Sequence, residues 1–362
     1  MTIAIISTII SSVSMALMIV TDKLMLNQCY ESKPRQAWFI SSLAGSVFGL
    51  FLTIIMWGVI ATASSSGTFI MLFYASVDLF FWQGLAVLIA GILGIQILFH
   101  YFNCFSEDAS SASVAAWIAA TPIFILLTFI IISFVDHFTG FFTILTLTQS
   151  INPIFAISVA ITTFALVGFE YFSNSNKISQ NKYRKSLILL IFYNVIYSIL
   201  LQYILGNESN KYSHGMYVLA LLPYLWIGFA AGTRDILVKN RRKEIVENWR
   251  LNIKKYWRLI FMVEIVGMFV FYFEYFGLAD LNAAYVSVII GAHVILVYLL
   301  DFLLILYLHS KHNRFIKINK NQTLVVNEPE LLYTKRPLRI RIVEIVFLII
   351  IVTGIIVTTM YV

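Results

Sequence analysis

Apolar runs of about twenty residues recur along the whole chain, each long enough to cross a hydrocarbon layer of about 30 Å. Inside lipid every backbone N–H and C=O must pair within the protein, so only helices or a closed barrel can span it. Barrel strands read as short alternating segments, and these runs do not alternate. The expected fold is therefore an all-α membrane protein. The 60% hydrophobic and 12% charged composition agrees, because soluble domains carry about 25% charged residues. The first run, from Ile3, lacks a basic leader and a small-residue cleavage site, so it reads as a retained span. Cys29 and Cys104 lie far apart with no CxxC pattern and read as packing residues.

Hydropathy predicts ten transmembrane helices: Ile3–Met25, Ala37–Ala61, Phe81–Cys104, Ala112–Val135, Pro153–Phe172, Leu187–Leu205, Met216–Leu237, Trp257–Phe276, Ala283–Leu308 and Ile342–Tyr361. They divide into a first half at 1–172, a basic linker at 173–186 and a second half at 187–362, which carries a long basic loop at 309–341. Phe69–Phe80 and Phe138–Ile151 are apolar enough to lie at the interface or to lengthen a neighbour. With ten spans, nearly all lysines and arginines fall on one face and only Lys211 on the other. Basic loops stay cytoplasmic, so both termini are expected outside. The net charge of +7 then reports topology and contact with anionic headgroups, not nucleic acid.

The fourth and ninth runs align without gaps at an offset of 172 residues. Asp108/Asp280, Val114/Val286, Ile118/Ile290, Ala120/Ala292, Ile123/Ile295 and Leu127/Leu299 coincide. Each is the fourth run of its half. Five spans per half invert the second half relative to the first, so the expected architecture is two inverted five-helix repeats. Secondary carriers use this plan and bind substrate between the repeats near the bilayer midplane.

Gly91–Phe124, GILGIQILFHYFNCFSEDASSASVAAWIAATPIF, resembles the third-to-fourth helix region of the EamA-like branch of the drug/metabolite transporter superfamily. There a glycine-bearing helix ends at a short polar turn, and small residues and a mid-helix proline follow, here Pro122. Leu278–Leu299, LADLNAAYVSVIIGAHVILVYL, is similar, and Ile342–Val357 resembles that family's last helix. The resemblance implies a ten-helix carrier and specifies architecture, not substrate. Asp136-His137 stands where the family usually has Gly-Glu, Val294 replaces the second proline, and many members have cytoplasmic termini.

Ionisable and polar groups within spans are costly and default to functional candidates. His293 falls about 15 Å into its helix, with Thr121 as its repeat mate; it either binds substrate or bonds a neighbouring helix. Glu264, in MVEIVGMF, is a proton-coupling candidate, since an unpaired ionised carboxylate costs several kcal/mol in low dielectric; the alternative is an interhelical partner. Asp301 reads as a structural partner for a basic loop. Gln96, His100 and Asn103 form one polar stripe, and Asn194, Ser198 and Gln202 another, with Tyr193 and Tyr197 alongside. Ser7, Ser11 and Ser14 form a third, with Asp22 at the helix end. Such stripes either glue helices or share a cavity. The candidate substrate-binding set is His293, Gln96, His100, Asn194, Tyr197 and Thr121. Gly91, Gly94 and Gly291 read as close helix approaches.

No GxSxG, HExxH or phosphate-binding glycine loop occurs. His309 and His312 lack a nearby carboxylate or thiol, so neither a metal site nor a cofactor is expected. Nothing resembles a selectivity filter. The expected function is a secondary transporter of a small polar or amphipathic metabolite, working by alternating access and driven by protons, another ion or the substrate's own gradient. It is expected in a cell membrane of the bacterial inner-membrane type. Its partners would be substrate and the lipid bilayer, with the oligomeric state open. A membrane-embedded transferase acting on a lipid-linked substrate is the alternative.

Overall fold

The structure, a computed structural model, describes residues 2–30, 33–63, 67–107, 109, 111–139, 153–173, 177–206, 212–250, 254–281, 283–300, 303 and scattered positions between 346 and 357. Among these there is no strand. Eight stretches are long and apolar enough to cross a membrane: Thr2–Asn27, Pro34–Ala63, Phe80–Ser106, Ser113–Ile132, Tyr183–Leu205, Gly215–Leu237, Lys254–Asp280 and Ala283–Leu300. Their outward faces carry bare apolar side chains, such as Ile3, Phe51 and Phe192, which only lipid solvates cheaply. The chain is a multi-pass α-helical membrane protein. Eight of the ten expected spans are thus present. The expected fifth is also a helix, Pro153–Ser173, with a described apolar core at Ala156–Ala165. The tenth, Asp301, His309, His312 and the loop at 309–341 lie largely or wholly outside the described residues.

The helices are α1 (Thr2–Cys29), α2 (Pro34–Ala63), α3 (Thr68–Asp78), α4 (Leu85–Ser106), α5 (Ser111–Ile118), α6 (Thr121–Thr139), α7 (Pro153–Ser173) and α8 (Lys177–Gly206). Then come α9 (His214–Phe229), α10 (Lys239–Asn248), α11 (Lys254–Asp280) and α12 (Ala283–Gly291). Pro34 and Pro153 each open a helix, where the missing N–H costs nothing. A π turn, Phe80–Gly84, joins the short α3 to α4, and a 3-10 stretch, Ala230–Leu237, extends α9. The apolar α3 stays a separate helix and is tied to α9, where the Tyr224 hydroxyl bonds Ser76. The polar α10 folds back on the start of α2: Gln36 Nε2 donates to Glu244 at 3.3 Å, and Arg241 pairs with Asp235.

The most extensive packing is α1 along α11, then α4 along α8 and α9. In α1, Ser11 of the serine stripe donates to Val270 O at 3.0 Å, and Ser12, beside the stripe, donates to Ile290 O at 3.1 Å. Gly91 and Gly228 let α4 and α9 cross backbone to backbone; a Cβ on either would come within 2.9 Å of the other's Cα. The expected fourth span is broken between α5 and α6 at Ala119–Ala120, just before Pro122, which cannot donate to the preceding turn. The expected ninth breaks at Ala292, after α12, with helix resuming over 293–300. Both breaks carry the same short-range bonds. Ala120 N donates to Trp117 O and Ile123 N to Ala120 O; Ala292 N donates to Ile289 O and Ile295 N to Ala292 O. Each bond in one maps onto the other at an offset of 172. Ala119 and Gly291, also 172 apart, face each other where these helices meet.

Candidate functional site

The packing of α1 on α11, with α2 alongside, brings two carboxylates to one place. Asp22 comes from α1 and Glu264 from α11, and Ser41 of α2 completes the group; all three line a cavity of about 20 Å³, room for about one water. Asp22 is 5% exposed and Glu264 9%. Ser41 Oγ donates to Glu264 Oε1 at 2.7 Å, from 223 residues away in sequence. The carboxylates lie within electrostatic reach of each other. The buried Tyr101 hydroxyl faces Asp22 without a well-formed hydrogen bond, and the buried Tyr30 hydroxyl also has none. Among the described residues, the rest of the lining is thioether, ring and aliphatic surface with no lysine or arginine. Two carboxylates without a counter-cation cannot both ionise cheaply here.

Aromatic rings close one side of this cavity. Trp226, Phe229 and Phe271 meet edge to face, with centroids 5.3, 5.0 and 6.1 Å apart. Tyr272 abuts Trp226 and donates to Gly49 O at 2.9 Å. Small residues on α2 make room: Gly45 lies against the Phe229 ring and Gly49 against Trp226. On the far side of Phe271 stands Tyr197, 6.4 Å away between centroids, within electrostatic reach of Glu274. Glu274 follows Glu264 by ten residues, about 15 Å along α11.

One helical turn from Ser41, around Trp38, lies a second cavity of about 170 Å³. Arg35, Trp38, Gln96, Phe99, Arg234, Asp235 and Arg241 line it.

The residues singled out from sequence are distributed, not gathered. Gln96 lines the larger cavity and Glu264 the smaller; the others line neither. Asn194 Nδ2 donates to Thr121 Oγ1 at 3.1 Å, tying α8 to α6. His100 stacks on Tyr193, 5.5 Å between centroids and 10° between planes. Tyr197 is buried against Phe271. His293 is fully buried next to the Ala119–Gly291 approach; Nδ1 lies 2.6 Å from Ile290 O, and the Ala115 carbonyl is near the ring. The sequence reading left Asp22, Ser41, Tyr101 and Arg234 out of the site. Asp22 had a signal: Ser7, Ser11, Ser14, Met18 and Asp22 share one helical stripe. Ser41 had none.

Among the described residues no three of His, Cys, Asp and Glu cluster as metal ligands would. Compared with known proteins, the chain matches no family model and no curated relative.

Proposed function

We propose that this protein is a proton-coupled secondary carrier of a small polar or amphipathic metabolite, built from ten helices in two inverted five-helix repeats. One observation carries the reading: Asp22 and Glu264, on helices from opposite halves, face a single water-sized cavity without a counter-cation in its lining. A proton held there is the natural coupling ion, and hydration or substrate entering the cavity would change its retention. Three features of the packing support the repeat. The identical helix breaks around Ala120 and Ala292 lie 172 residues apart, as discontinuous helices of carriers do at the midplane. Ala119 meets its own repeat mate Gly291, as residues beside a pseudo-two-fold axis must. Exchanging the halves also turns the α1–α11 pair into α8–α4, and these are the two most extensive helix contacts. The resemblance to the EamA-like transporters points the same way. The sorting of lysines and arginines supports an orientation with both termini outside the cell membrane.

Thiol accessibility tests this reading in a Cys29→Ala/Cys104→Ala background, since both native cysteines are buried. A membrane-impermeant reagent is applied to right-side-out and to inverted vesicles. Asn240→Cys, on the exposed face of α10, is expected to react only in inverted vesicles. Ser41→Cys is expected to react in both, because an alternating-access carrier opens its central cavity to each side in turn. Ile196→Cys, an apolar surface position of α8, is expected to stay inert. A Ser41→Cys that reacts from one face only, or from neither, would sink alternating access at this cavity. Modification of Asn240→Cys from the opposite face would reverse the topology.

A further inference from the structure

The larger cavity is built on different chemistry from the carboxylate site. Arg35 lies in the first turn of α2, Gln96 lies in α4, and Arg234, Asp235 and Arg241 come from the 3-10 extension of α9 and from α10. Three arginines against one aspartate leave two positive charges in excess. Asp235 does not offset them evenly. Its side chain is 3% exposed and is committed to Arg241. Arg234 is instead held by an aromatic face, its guanidinium carbon 5.7 Å from the Trp38 ring centroid. Trp38 is itself fixed, 3% exposed, with Nε1 donating to Ile95 O at 2.8 Å and Phe99 edge-on at 5.4 Å. A cation–π contact orients a guanidinium while leaving its N–H donors open. Gln96 adds an amide to the same wall. Arg35 and Arg234 are both exposed, so their donors can be reached from solvent, while the buried indole fixes where Arg234 sits.

We propose that this cavity is a binding site for a small oxyanion-bearing ligand, a carboxylate or phosphate, held by Arg35 and Arg234 with Gln96 as an uncharged donor. Guanidinium forks match such oxyanions bidentately. A volume of about 170 Å³ suits a small anion, since pockets for drug-sized ligands start near ~300 Å³. Trp38 and Ser41 are one turn apart on α2, and Phe99 and Leu98 are neighbours on α4, so the site borders the carboxylate cavity directly. As the first docking station of a carried solute it rests on the carrier reading; as an anion site it does not. An anionic lipid headgroup offers the same chemistry as a free solute.

The test uses full-length protein in phosphatidylcholine nanodiscs, in the cysteine-free background, with Gln96→Cys and separately Phe99→Cys. Modification rates are compared for an anionic and a cationic methanethiosulfonate reagent, each normalised to a free thiol. The anionic reagent is expected to be favoured at least about tenfold, as a positive, low-dielectric cleft concentrates anions. Arg35→Gln with Arg234→Gln is expected to bring the ratio near one. Arg35→Lys with Arg234→Lys should keep most of the charge preference, and Arg242→Gln, outside the cavity, should leave it unchanged. Slowing by inorganic phosphate assigns the site to a free oxyanion. Slowing only when phosphatidylglycerol replaces phosphatidylcholine assigns it to a headgroup. A ratio near one at both positions in monodisperse protein, or no slowing by either anion, overturns the site. A tenfold preference alongside a Ser41→Cys reachable from one face only would keep this site and remove the carrier reading.

Discussion

Glu264→Gln is expected to abolish proton-driven accumulation while sparing exchange. Glutamine keeps the volume of the protonated side chain, and its Oε1 can still accept from the Ser41 hydroxyl, which now bonds Glu264 at 2.7 Å. What it cannot do is lose a proton. Substrate counterflow, which moves solute without net proton movement, should stay within about twofold of wild type, whereas uphill uptake under a pH gradient should fall at least about tenfold. Asp22→Asn should show the same split, because both carboxylates line one cavity within electrostatic reach of each other. Substitution at both sites should add little to either alone, as expected for groups that titrate as a unit. Conversion of Ser41 to alanine should be milder: the carboxylate stays titratable and loses one donor. Unaltered pH-driven uptake in Glu264→Gln would remove the carboxylate from the coupling role. Loss of folded protein from the membrane would instead make Glu264 an interhelical strut.

Gly91→Val is expected to cost about 3 kcal/mol of stability or more. Its new Cβ would press on the Leu225 carbonyl and lie 2.9 Å from Gly228 Cα, both backbone atoms that cannot rotate away. The α4–α9 crossing must then widen. That crossing helps position Trp226 and Phe229, which wall the carboxylate cavity, so the damage should reach the site. Gly58→Ala is the matched control. Nothing lies within 4 Å of a Cβ there, so alanine should be neutral or stabilise α2 by about 0.5–1 kcal/mol. Unfolding in mixed micelles compares the two. A Gly91→Val protein as stable as wild type would mean that α4 and α9 do not cross in close contact.

The helices were legible in the sequence because lipid imposes a one-dimensional rule: length and apolarity suffice. Hydropathy runs the fourth and ninth spans as continuous helices, because a one-residue break leaves apolarity unchanged. Pro122 marks the place in the fourth, and no proline marks the counterpart at Ala292. The glycines were read correctly as approach points: Gly91 meets Gly228, Gly94 the Phe229 ring and Gly291 Ala119. Polar stripes identified which helix faces avoid lipid, but not what they meet. Asn194 finds Thr121, whereas His293 and His100 settle on a backbone carbonyl and a tyrosine ring. Asp22 and Glu264 are separated by most of the chain, and no periodicity links them. The arginine-lined cavity was hidden for another reason. Its positive residues look like ordinary topology charges until Trp38 and Asp235 sort them into open and paired ones.

Uphill transport by the wild-type protein is the direct measure of proton-coupled carriage. Purified protein in pH-clamped proteoliposomes would be offered a mixture of small carboxylates, phosphates and uncharged polar metabolites, and the retained contents identified by mass spectrometry. At least one solute is expected to accumulate above its external concentration when a pH gradient is imposed, and to re-equilibrate when a protonophore collapses the gradient. The same solute should fail to accumulate in vesicles bearing Glu264→Gln. If every solute reaches the same level with and without the gradient, in vesicles holding folded wild-type protein, proton-coupled carriage through the Asp22–Glu264 cavity is contradicted.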